Sequence, residues 1–482
     1  MRRAYLGLDC GTQSTKAVLR DSESGAAFAV GRAAHDVIER DDGTREQDPS
    51  WWIGAARSAI SEALGVTRSE IAGIGVSGQQ HGLVCLDVRG RPTRPAKLWN
   101  DTTTAAECLA LTATLGGNER VLALTGNVFL PGYTAPKVAW LRAHEPEAYA
   151  RTTRMCLPHD YLNLWLTGDF VTEPGDASGT AYFDVRARRY SSAVLAAIDE
   201  ARDWTRTLPR VVSSLDPIGE LRAEVAAELG LEAGIPVSAG GGDNMCAAIG
   251  SDVVFEGPVA VSLGTSGTAF AYRAEPAVDP LAEAAAFCDS TQGWLPLACT
   301  LNCTSATDWV CELFGLSHAA VDAALANGSS GDLAFLPYLS GERTPNRPEG
   351  AGVFVGLRAS HGREAIVRAV VEGVTFGLAY ALDALRRAGV SPTDVTLVGG
   401  GASSDGWAQL CADVFDLPVV RPAIIEAAAS GAARQAQWAV ERARPALAPV
   451  PSRRFEPRAR PELHEAARRM ASLRAVAAAN RL

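Results

Sequence analysis

The sequence LDCGTQS at residues 8–14 decides the fold, because it joins the end of a buried apolar strand to a polar Gly-Thr turn. Residues 5–9 suit a fully buried strand and residues 16–20 a second strand, so the segment predicts a β-hairpin. The sequence LGTSG at residues 263–267 repeats this arrangement in the second half of the chain. We interpret the repeat as a weak internal duplication, which predicts two similar lobes that face one cleft.

Length and composition indicate a globular protein of two domains. A chain of 482 residues exceeds what one hydrophobic core usually supports. Hydrophobic residues make up 47% and charged residues 21%, which is typical of a folded globular protein. The formal net charge of −10 argues against nucleic acid or an anionic membrane as the main partner, although backbone amides and local cations could still hold a phosphate.

Cysteine usage and the N-terminal sequence indicate where the protein works. The ten cysteines are scattered without a CxxC pair, so we expect reduced core or surface thiols rather than a metal site. The first residues do not form a signal peptide, and no apolar run approaches the roughly 20 residues that span a bilayer. We therefore expect a cytoplasmic protein with no membrane partner.

The boundary between the two halves is expected near residues 245–257. It divides the chain into an N-terminal domain at 1–248, a C-terminal domain at 249–445 and a tail at 446–482. Five prolines interrupt the region from residue 445 to residue 461, and we expect the tail to end in a short helix.

Local signals predict several helices and strands. Asp48 has the side chain of an N-cap, and Pro49 suits the first position of the helix that follows. The expected strands are 71–77, 236–240 and 395–398. The expected helices are 135–144, 160–166, 363–387, 427–440 and one that begins near Ser404.

Three Gly-rich turns follow predicted strands and could bind phosphate. They are Gly11-Thr12, Gly264-Thr265 and the glycine triplet at residues 399–401. Successive backbone N–H groups without Cβ atoms in the way suit a multivalent anion. None is a Walker A loop, and each taken singly is explained as well by a tight turn that needs a positive φ. Three such turns, each directly after a strand, favour a nucleotide.

Two charged residues flank the first turn. Asp9 closes a buried strand, where a carboxylate is costly unless a cation is near, and Mg²⁺ with its waters is a natural partner when ATP is bound. The alternative for Asp9 is a carboxylate that caps N–H groups of the turn. Lys16 could supply positive charge to the phosphates, or it could be an ordinary surface lysine.

Asp243 follows three glycines and precedes a predicted helix, which places a carboxylate in a cleft. Phosphoryl transfer to an alcohol needs one acceptor for the hydroxyl proton, while positioning and electrostatics supply most of the rate. The alternative is a helix N-cap worth about 1 kcal/mol, and both roles could hold together.

Polar side chains suited to a sugar follow the strand at 71–77. Residues 78–82 (GQQHG) supply Gln80 and His81, whose donors and acceptors match sugar hydroxyls. Residues 99–101 (WND) add an aromatic face beside polar groups. His81 taken alone is more often a structural histidine with satisfied hydrogen bonds.

Together these motifs resemble the FGGY carbohydrate kinases over roughly residues 5–440. The resemblance is carried by residues 9–12 (DCGT), 78–82 (GQQHG), 98–101 (LWND), 131–137 (PGYTAPK), 157–162 (LPHDYL), 240–244 (GGGDN), 263–267 (LGTSG), 335–345 (FLPYLSGERTP) and 399–402 (GGGA). Order and spacing both match the family.

The resemblance implies an α/β fold of two actin-like, ribonuclease-H-like ATPase domains with an interdomain catalytic cleft. It implies Asp243 as the base that takes the sugar hydroxyl proton and Asp9 as the residue that holds Mg²⁺ through water. The side chains expected at the sugar are Gln80, His81, Trp99 and Asn244. The residues expected at ATP are Thr12, Lys16, Gly264, Thr265, Gly400, Gly401 and Asp405. A homodimer is common in the family.

Within the family, the Gly-Gln-x-His-Gly pattern favours a ketopentose, D-xylulose, because similar glycerol kinases carry an Arg-Glu pair where Gln80 and His81 stand here. Gln80 replaces the usual methionine, which keeps ribulose, a pentitol, gluconate or glycerol open as the acceptor. An actin-like ATP-binding sensor without transfer activity is the alternative from another class. The presence of both Asp9 and Asp243 argues against a sensor.

Overall fold

The computed structural model describes residues 2–67, 69–327, 330–444 and 451–480. The strands in the first half are β1 Arg2–Cys10, β2 Ser14–Asp21, β3 Ala27–Ala34, β4 Ile38–Glu39, β5 Arg45–Gln47, β6 Ser69–Gly78, β7 Val84–Leu86, β8 Ala96–Lys97, β9 Arg154–Cys156, β10 Val171–Thr172, β11 Phe183–Asp184, β12 Arg189–Tyr190, β13 Arg210–Val211, β14 Pro217–Glu220, β15 Pro236–Ser238 and β16 Gly241–Gly242. The strands in the second half are β17 Pro258–Leu263, β18 Gly267–Ala271, β19 Leu297–Thr300, β20 Ala334–Pro337, β21 Gly352–Val355, β22 Asp394–Val398, β23 Val419–Pro422 and β24 Ser452–Phe455.

The helices follow the same division. Those in the first half are α1 Pro49–Val66, α2 Ala105–Leu115, α3 Asn118–Thr125, α4 Thr134–His144, α5 Pro146–Arg151, α6 Pro158–Thr167, α7 Pro174–Ala177, α8 Ser192–Asp199, α9 Trp204–Thr207, α10 Ala223–Leu229 and α11 Asp243–Gly250. Those in the second half are α12 Thr304–Phe314, α13 His318–Asn327, α14 Arg363–Arg387, α15 Asp405–Phe415, α16 Ala427–Glu441 and α17 Pro461–Asn480. Short 3₁₀ turns lie at Ser178–Thr180 and Gly400–Ser403.

Two large sheets define two lobes with the same topology. The sheet of lobe I has the order β14-β15-β6-β1-β2-β3, with β16 also paired to β6, and the sheet of lobe II has the order β19-β18-β17-β22-β23-β24. In each sheet an antiparallel hairpin, β1–β2 or β17–β18, lies beside a parallel strand, β6 or β22. The internal duplication predicted from the two Gly-Thr turns is therefore present as repeated strand order.

Each sheet is covered by helices that bury an apolar face. Trp52, Ala56 and Ile60 of α1 pack with Leu6 and Leu8 of β1 in the core of lobe I. The helix begins where the sequence predicts, since Asp48 Oδ1 accepts the N–H of Ser50 at 2.8 Å and Pro49 occupies the first turn. A further apolar cluster joins α2, α4 and α8 to the hairpin of lobe II.

Helix α14 is the central helix of lobe II. Its length and apolar composition would suit a membrane-spanning helix, yet 72% of its most apolar 18-residue stretch is buried inside the protein. Val370, Val374 and Leu378 lie in the core of lobe II. The helix is therefore a core element of this lobe.

The end of the chain completes lobe II. Strand β24 pairs antiparallel with β23, and Leu463, Ala466 and Met470 of α17 are buried in the same core as α14. The expected tail therefore holds an edge strand and a helix of 20 residues, longer than the short helix predicted. The expected boundary at residue 445 lies outside the described residues.

Helix α16 belongs to the second half of the sequence but packs on the sheet of lobe I. It lies against β1, β6 and α11. Gly7 and Gly75 permit this approach, because an added Cβ would lie 1.9 Å from the backbone oxygen of Ala429 and 2.1 Å from that of Ala432, respectively. The chain thus crosses back from lobe II, and α16 ties the two lobes together.

Local predictions were mostly confirmed, with one clear exception. Strands β6 and β22 and helices α4, α6, α14 and α16 lie where the sequence placed them. The single strand expected at 236–240 is instead two short strands, β15 and β16. Gly240 separates them because its φ of 73° lies in the left-handed region, which interrupts an extended strand.

Candidate active site

A cavity of about 620 Å³ lies between the lobes. Its size is within the usual range for a site that holds a small molecule. The predicted site residues that line it are Lys16, Gln80, His81, Trp99, Asp243, Asn244, Gly264 and Thr265. The structure therefore brings residues from both Gly-Thr hairpins and from the polar motifs to one place.

Asp243 stands at the cavity as the first residue of α11. Strand β16 pairs with the end of β6, so the glycines before Asp243 lie beside the Gln-rich motif that follows β6. The Asp243 Oδ1 atom accepts the backbone N–H of Asn244 at 2.8 Å and its side-chain N–H at 2.9 Å. Asp243 is not the N-cap of α11, a position that Gly242 occupies. The alternative of an N-cap is thus wrong, and Asp243 instead lines the cavity.

Burial makes Asp243 a stronger base than an ordinary aspartate. Desolvation raises the pKa of Asp243 to about 7, and the negative charge of Asp9 adds to the effect. Two hydrogen bonds from Asn244 oppose the shift. A carboxylate with a pKa near the working pH is well matched to taking a proton from an alcohol.

Asp9 lies at the end of β1, deep in the cleft wall. Its Oδ1 accepts the hydroxyl of Ser77 at 2.8 Å, and it stands opposite Lys16 in the β1–β2 hairpin. Burial raises the pKa of Asp9 and outweighs the lowering by the nearby charge of Lys16. No group of three or more His, Cys, Asp or Glu side chains that could hold a metal occurs in the described part of the chain. In the absence of such a ligand group, the buried carboxylate of Asp9 fits a hydrated Mg²⁺ carried by phosphates better than a metal held by protein ligands alone.

Lys16 lines the cavity but is already paired. Its Nζ lies 2.7 Å from Oε2 of Glu426, the residue that precedes α16. Glu426 also forms an ion pair with Arg32. The positive charge expected at the phosphates is therefore shared with a carboxylate at the start of the helix that ties the lobes.

Gln80 and Asn244 form a joined pair of amides in the cavity. Asn244 Nδ2 donates to Gln80 Oε1 at 2.9 Å and to Asp243 Oδ1 at 2.9 Å. Gln80 Nε2 is buried and has no hydrogen-bond partner in the part of the chain that the structure describes. A buried polar atom without a partner is costly, so this N–H₂ group suits an oxygen of a ligand.

The imidazole of His81 is held between two aromatic rings. The ring centroids of Tyr133 and Phe287 lie 4.8 Å and 5.6 Å from that of His81. Burial, followed by the charges of Lys137 and Arg343, lowers the pKa of His81 well below its usual range. His81 is therefore neutral, so its ring can both donate and accept hydrogen bonds, as sugar hydroxyls require.

The backbone of His81 is fixed by a buried lysine that sequence reasoning missed. His81 has a φ of 65°, and its carbonyl oxygen accepts Lys137 Nζ at 2.7 Å and Thr134 Oγ1 at 3.1 Å. Lys137 Nζ also donates to the carbonyl of Gly132 at 2.7 Å. Burial lowers the pKa of Lys137 well below its usual range. Its position in the PGYTAPK motif was a signal, although the motif alone did not give this role.

Trp99 connects the cavity to Thr12 of the first hairpin. Trp99 Nε1 donates to Thr12 Oγ1 at 3.0 Å, and Gln79 Oε1 lies 3.4 Å from the same hydroxyl. Thr12 is therefore one hydrogen bond away from a side chain that lines the cavity.

Arg343 is a second cavity residue that sequence reasoning missed. It belongs to the GERTP sequence in lobe II, and its guanidinium carbon lies 5.9 Å from the ring centroid of Trp99 in lobe I. Glu342 holds this loop by accepting the N–H groups of Leu301 at 2.6 Å and Arg343 at 2.7 Å. Among the described residues, no carboxylate forms an ion pair with Arg343, so its charge is available to the cavity.

The turn of the second hairpin is anchored to α12. The carbonyl of Gly264 accepts the N–H of Thr304 at 2.9 Å, and that of Thr265 accepts the N–H of Cys303 at 3.1 Å. The turn therefore lies at the N-terminal end of a helix of 11 residues, where the helix dipole favours an anion.

The third turn adjoins this region but does not line the cavity. Gly400 and Gly401 begin the 3₁₀ turn after β22, the parallel neighbour of β17. Asp405 opens α15 and forms ion pairs with Arg421 and Arg453. The Asp405 carboxylate is thus committed to two arginines, while the glycines lie at the same sheet edge as Gly264.

Behind the glycines that lead to Asp243 lies a buried acidic cluster, formed by Asp160, Glu173 and Asp176 around His159. His159 Nδ1 lies 2.6 Å from Asp176 Oδ2, and its Nε2 lies 3.4 Å from Asp160 Oδ1. Burial raises the pKa of Asp160 and that of Glu173 to about 7. The charge of Asp176 also contributes to the raised pKa of Asp243.

Two lobes of repeated topology, Gly-Thr turns facing one cleft and a raised-pKa carboxylate beside sugar-type polar groups define a two-domain kinase for small hydroxylated molecules. Residues 4–250 match the N-terminal domain of the FGGY family of carbohydrate kinases, and residues 259–440 match its C-terminal domain. The chain belongs to this family of phosphotransferases, whose acceptor is an alcohol group.

Individual proteins agree with the family assignment. The chain is 42% identical over 449 residues to a xylulose kinase of Haemophilus influenzae, with 90% of each chain covered. It is 40% identical over 417 residues to a xylulose kinase of Escherichia coli, covering 85% of this chain and 84% of the other. A crystal structure titled as a xyloylose kinase from Brucella ovis matches with a TM-score of 0.93, 37% identity and 99% of both chains covered. The predicted family and two-domain fold are confirmed.

Proposed function

We propose that the protein transfers the γ-phosphoryl group of Mg-ATP to D-xylulose and forms D-xylulose 5-phosphate in the cytoplasm. The observation that carries the proposal is the juxtaposition of Asp243 with the unpartnered Nε2 of Gln80 in one interlobe cavity. Relatives that carry the name xylulose kinase, at about two-fifths identity over most of the chain, favour this ketose over other acceptors.

In this proposal Asp243 is the general base. The hydroxyl oxygen of the sugar bonds to the γ-phosphorus as the bond from that phosphorus to the β-bridging oxygen breaks, and ADP leaves. Asp243 takes the hydroxyl proton, which its raised pKa favours. Asn244 holds the carboxylate through the two hydrogen bonds to Oδ1 and thereby fixes its direction.

The remaining polar groups orient the two substrates. Gln80, His81, Trp99 and Asn244 contact the sugar, and the neutral state of His81 avoids placing an unneeded charge beside a neutral ketose. The turns at Gly264-Thr265 and Gly400-Gly401, with Thr12 and Lys16, hold ATP. Mg²⁺, held through water by Asp9, would neutralise phosphate charge.

We also propose a division of labour between the domains. Residues 1–248 supply the base and the sugar contacts, and residues 249–445 supply most contacts to the nucleotide. Closure of the lobes would exclude water and so limit hydrolysis of ATP. A homodimer, expected from the family, would be tested by light scattering of the purified protein.

A different sugar or polyol is the second candidate, because Gln80 replaces the methionine expected at this position. The amide adds a donor, Nε2, that a thioether lacks, and this buried donor has no hydrogen-bond partner among the described residues. Such a donor favours a sugar or polyol substrate that has an additional oxygen atom near Gln80.

The test is sugar-dependent release of ADP from Mg-ATP across D-xylulose, D- and L-ribulose, xylitol, D-arabitol, glycerol and gluconate. A kcat/KM for D-xylulose at least tenfold above the others supports the proposal. A different winner would retain the kinase mechanism and overturn the sugar assignment. No turnover with any acceptor, despite binding of ATP, would favour the sensor instead.

A further inference from the structure

The loop that leads to Asp243 is held by one side chain from the other half of the sequence. Gln435 lies on α16, and its amide contacts Gly240, three residues before Asp243. Gln435 Oε1 accepts the N–H of Gly240 at 2.7 Å, and Nε2 donates to the carbonyl of Gly240 at 2.9 Å. Both backbone groups of one residue are thus paired with a single amide, as a neighbouring strand would pair them.

The same amide reaches a third backbone group. Gln435 Nε2 also donates to the carbonyl of Ser290, at 3.1 Å, in the segment between β18 and β19. Both N–H bonds of the amide and one lone pair of its oxygen are therefore used, and Gln435 is completely buried. Because the N–H of Gly240 must meet an oxygen and the two carbonyl groups must meet N–H groups, the orientation of the Gln435 amide is also fixed. Only a glutamine at this position satisfies all three backbone groups.

Gly240 itself has no freedom to accept another arrangement. Its φ is 73°, and an added Cβ would lie 2.1 Å from the carbonyl oxygen of Val76 on β6. The neighbouring peptide, from Gly241 onward, enters β16 and pairs with β6. The direction of the chain into Asp243 is thus set at Gly240, where α16 holds it.

Helix α16 also supports the element on the far side of Asp243. Gly431 of α16 lies against α11, since a Cβ added to it would be 1.8 Å from the carbonyl oxygen of Cys246. A Cβ added to Gly250 of α11 would likewise lie 2.0 Å from the carbonyl oxygen of Ala427. One rigid helix therefore contacts both the loop before Asp243 and the helix that begins with it.

We propose that Gln435 is a positioning residue for the phosphoryl transfer, which sets the place of the Asp243 carboxylate by clamping the peptide groups of Gly240 to α16. Gln435 does not touch the substrates. It acts through the loop, so its loss displaces the base without removing any group that binds sugar or ATP. Misplacement of a reacting group by about 1 Å costs about 100-fold in rate.

The test compares Gln435→Met with Gln437→Met, two changes of the same kind on the same helix. Gln437 is also buried and bonded, to Arg20, Glu441 and the carbonyl of Ser22, but it contacts no part of the loop before Asp243. Urea unfolding reports the stability of both variants. Steady-state kinetics with the best acceptor of the panel report kcat and both KM values, and hydrogen exchange reports protection of residues 238–246.

We expect both variants to lose stability, and only Gln435→Met to lower kcat, by about 10- to 100-fold, with KM for ATP and for the sugar within about threefold of the wild type. Exchange at residues 238–246 should rise in Gln435→Met alone. Equal kcat values for the two variants when both are folded, or unchanged exchange in that segment, would overturn the proposal.

A second variant covers poor folding of the first. Gln435→Glu keeps the shape and the acceptor for the N–H of Gly240, and burial favours its protonated carboxyl, which donates one hydrogen bond in place of two, so we expect an intermediate loss of kcat. Wild-type kcat in a folded Gln435→Glu protein would also overturn the proposal. The inference rests on the proposed function, in which Asp243 is the base. A wild-type protein without turnover would contradict that function. The exchange measurement would still decide whether Gln435 holds the loop before Asp243.

Discussion

Lys16 Nζ lies 2.7 Å from Oε2 of Glu426. This ion pair joins the β1–β2 hairpin to the start of helix α16. The side chains are 24% and 22% exposed, so water screens their attraction and the pair contributes only about 0.5 kcal/mol to folding. A bound polyphosphate carries more negative charge than one carboxylate. It would therefore compete with Glu426 for the Lys16 ammonium.

This competition gives opposite expectations for the two partners. Lys16→Met should raise KM for ATP about tenfold, because one cation is lost from the phosphates. Glu426→Gln should leave KM for ATP unchanged or lower it, since Lys16 is released. Initial-rate kinetics at saturating sugar measure both, and an equal rise in both variants would show that the ion pair acts only as a structural link.

Replacement of Asp243 tests the base directly. Asp243→Asn keeps the shape and an oxygen that can accept from Asn244, but an amide does not take a proton. We expect kcat to fall by roughly 100- to 10,000-fold, while binding of the sugar measured by calorimetry changes little. Turnover near that of the wild type would mean that another group accepts the proton.

The pH dependence should follow from the raised pKa of Asp243. The base acts only when deprotonated, and burial places its pKa at about 7 in the free protein. We therefore expect kcat/KM for the sugar to rise with pH up to about 7 and then to level off. The residual activity of Asp243→Asn should lack this rise. A profile already level from pH 5 would contradict the raised pKa.

Substitution of Gln80 tests which substrate it contacts. Gln80→Met removes the donor Nε2 and the acceptor for Asn244 while it keeps the length of the side chain. We expect KM for the sugar to change by several-fold and KM for ATP to stay near its original value. The same panel of acceptors measures the shift in preference, and an equal change in both KM values would count against a contact between Gln80 and the sugar.

The hairpins and the cap at Asp48 could be predicted because they depend on short stretches of sequence, whereas the gathering of Gln80, His81 and Asp243 was expected from the resemblance to the family. The strand periodicity and Gly-Thr turns are local, and the polar motifs follow directly after strands whose ends meet at one sheet edge. The alternative interpretation of Asp243 as an N-cap was wrong because Gly242 takes that position, which sequence preferences alone do not distinguish.

The contacts made by α16 could not be predicted, because they join residues far apart in the sequence. Nothing in the alanine-rich segment around Gln435 indicates that its amide reaches Gly240 in the other half of the chain. Lys137 raises the same difficulty, since a buried lysine is unusual and its two carbonyl partners arise only in the folded chain. Long-range polar contacts of this kind carry no local pattern.

The buried acidic cluster gives a pH dependence of stability that differs from that of a surface carboxylate. Asp160 has a pKa of about 7 in the folded protein, against about 3.9 for an unfolded aspartate. The folded state thus binds this proton more tightly, so the contribution of Asp160 to the free energy of unfolding is greatest below pH 4 and falls as pH rises to about 7. Asp160→Asn mimics the protonated form and retains an acceptor for the N–H of Leu157, which Asp160 Oδ2 now accepts at 3.0 Å. We expect the free energy of unfolding in urea to decline between pH 4.5 and 6.5 less steeply in this variant, by up to about 1.4 kcal/mol per pH unit.

The control is Asp42→Asn, at an exposed turn where the pKa is lowered, and it should leave the decline unchanged. An equal decline in wild type and Asp160→Asn would mean that Asp160 stays ionised in the folded protein.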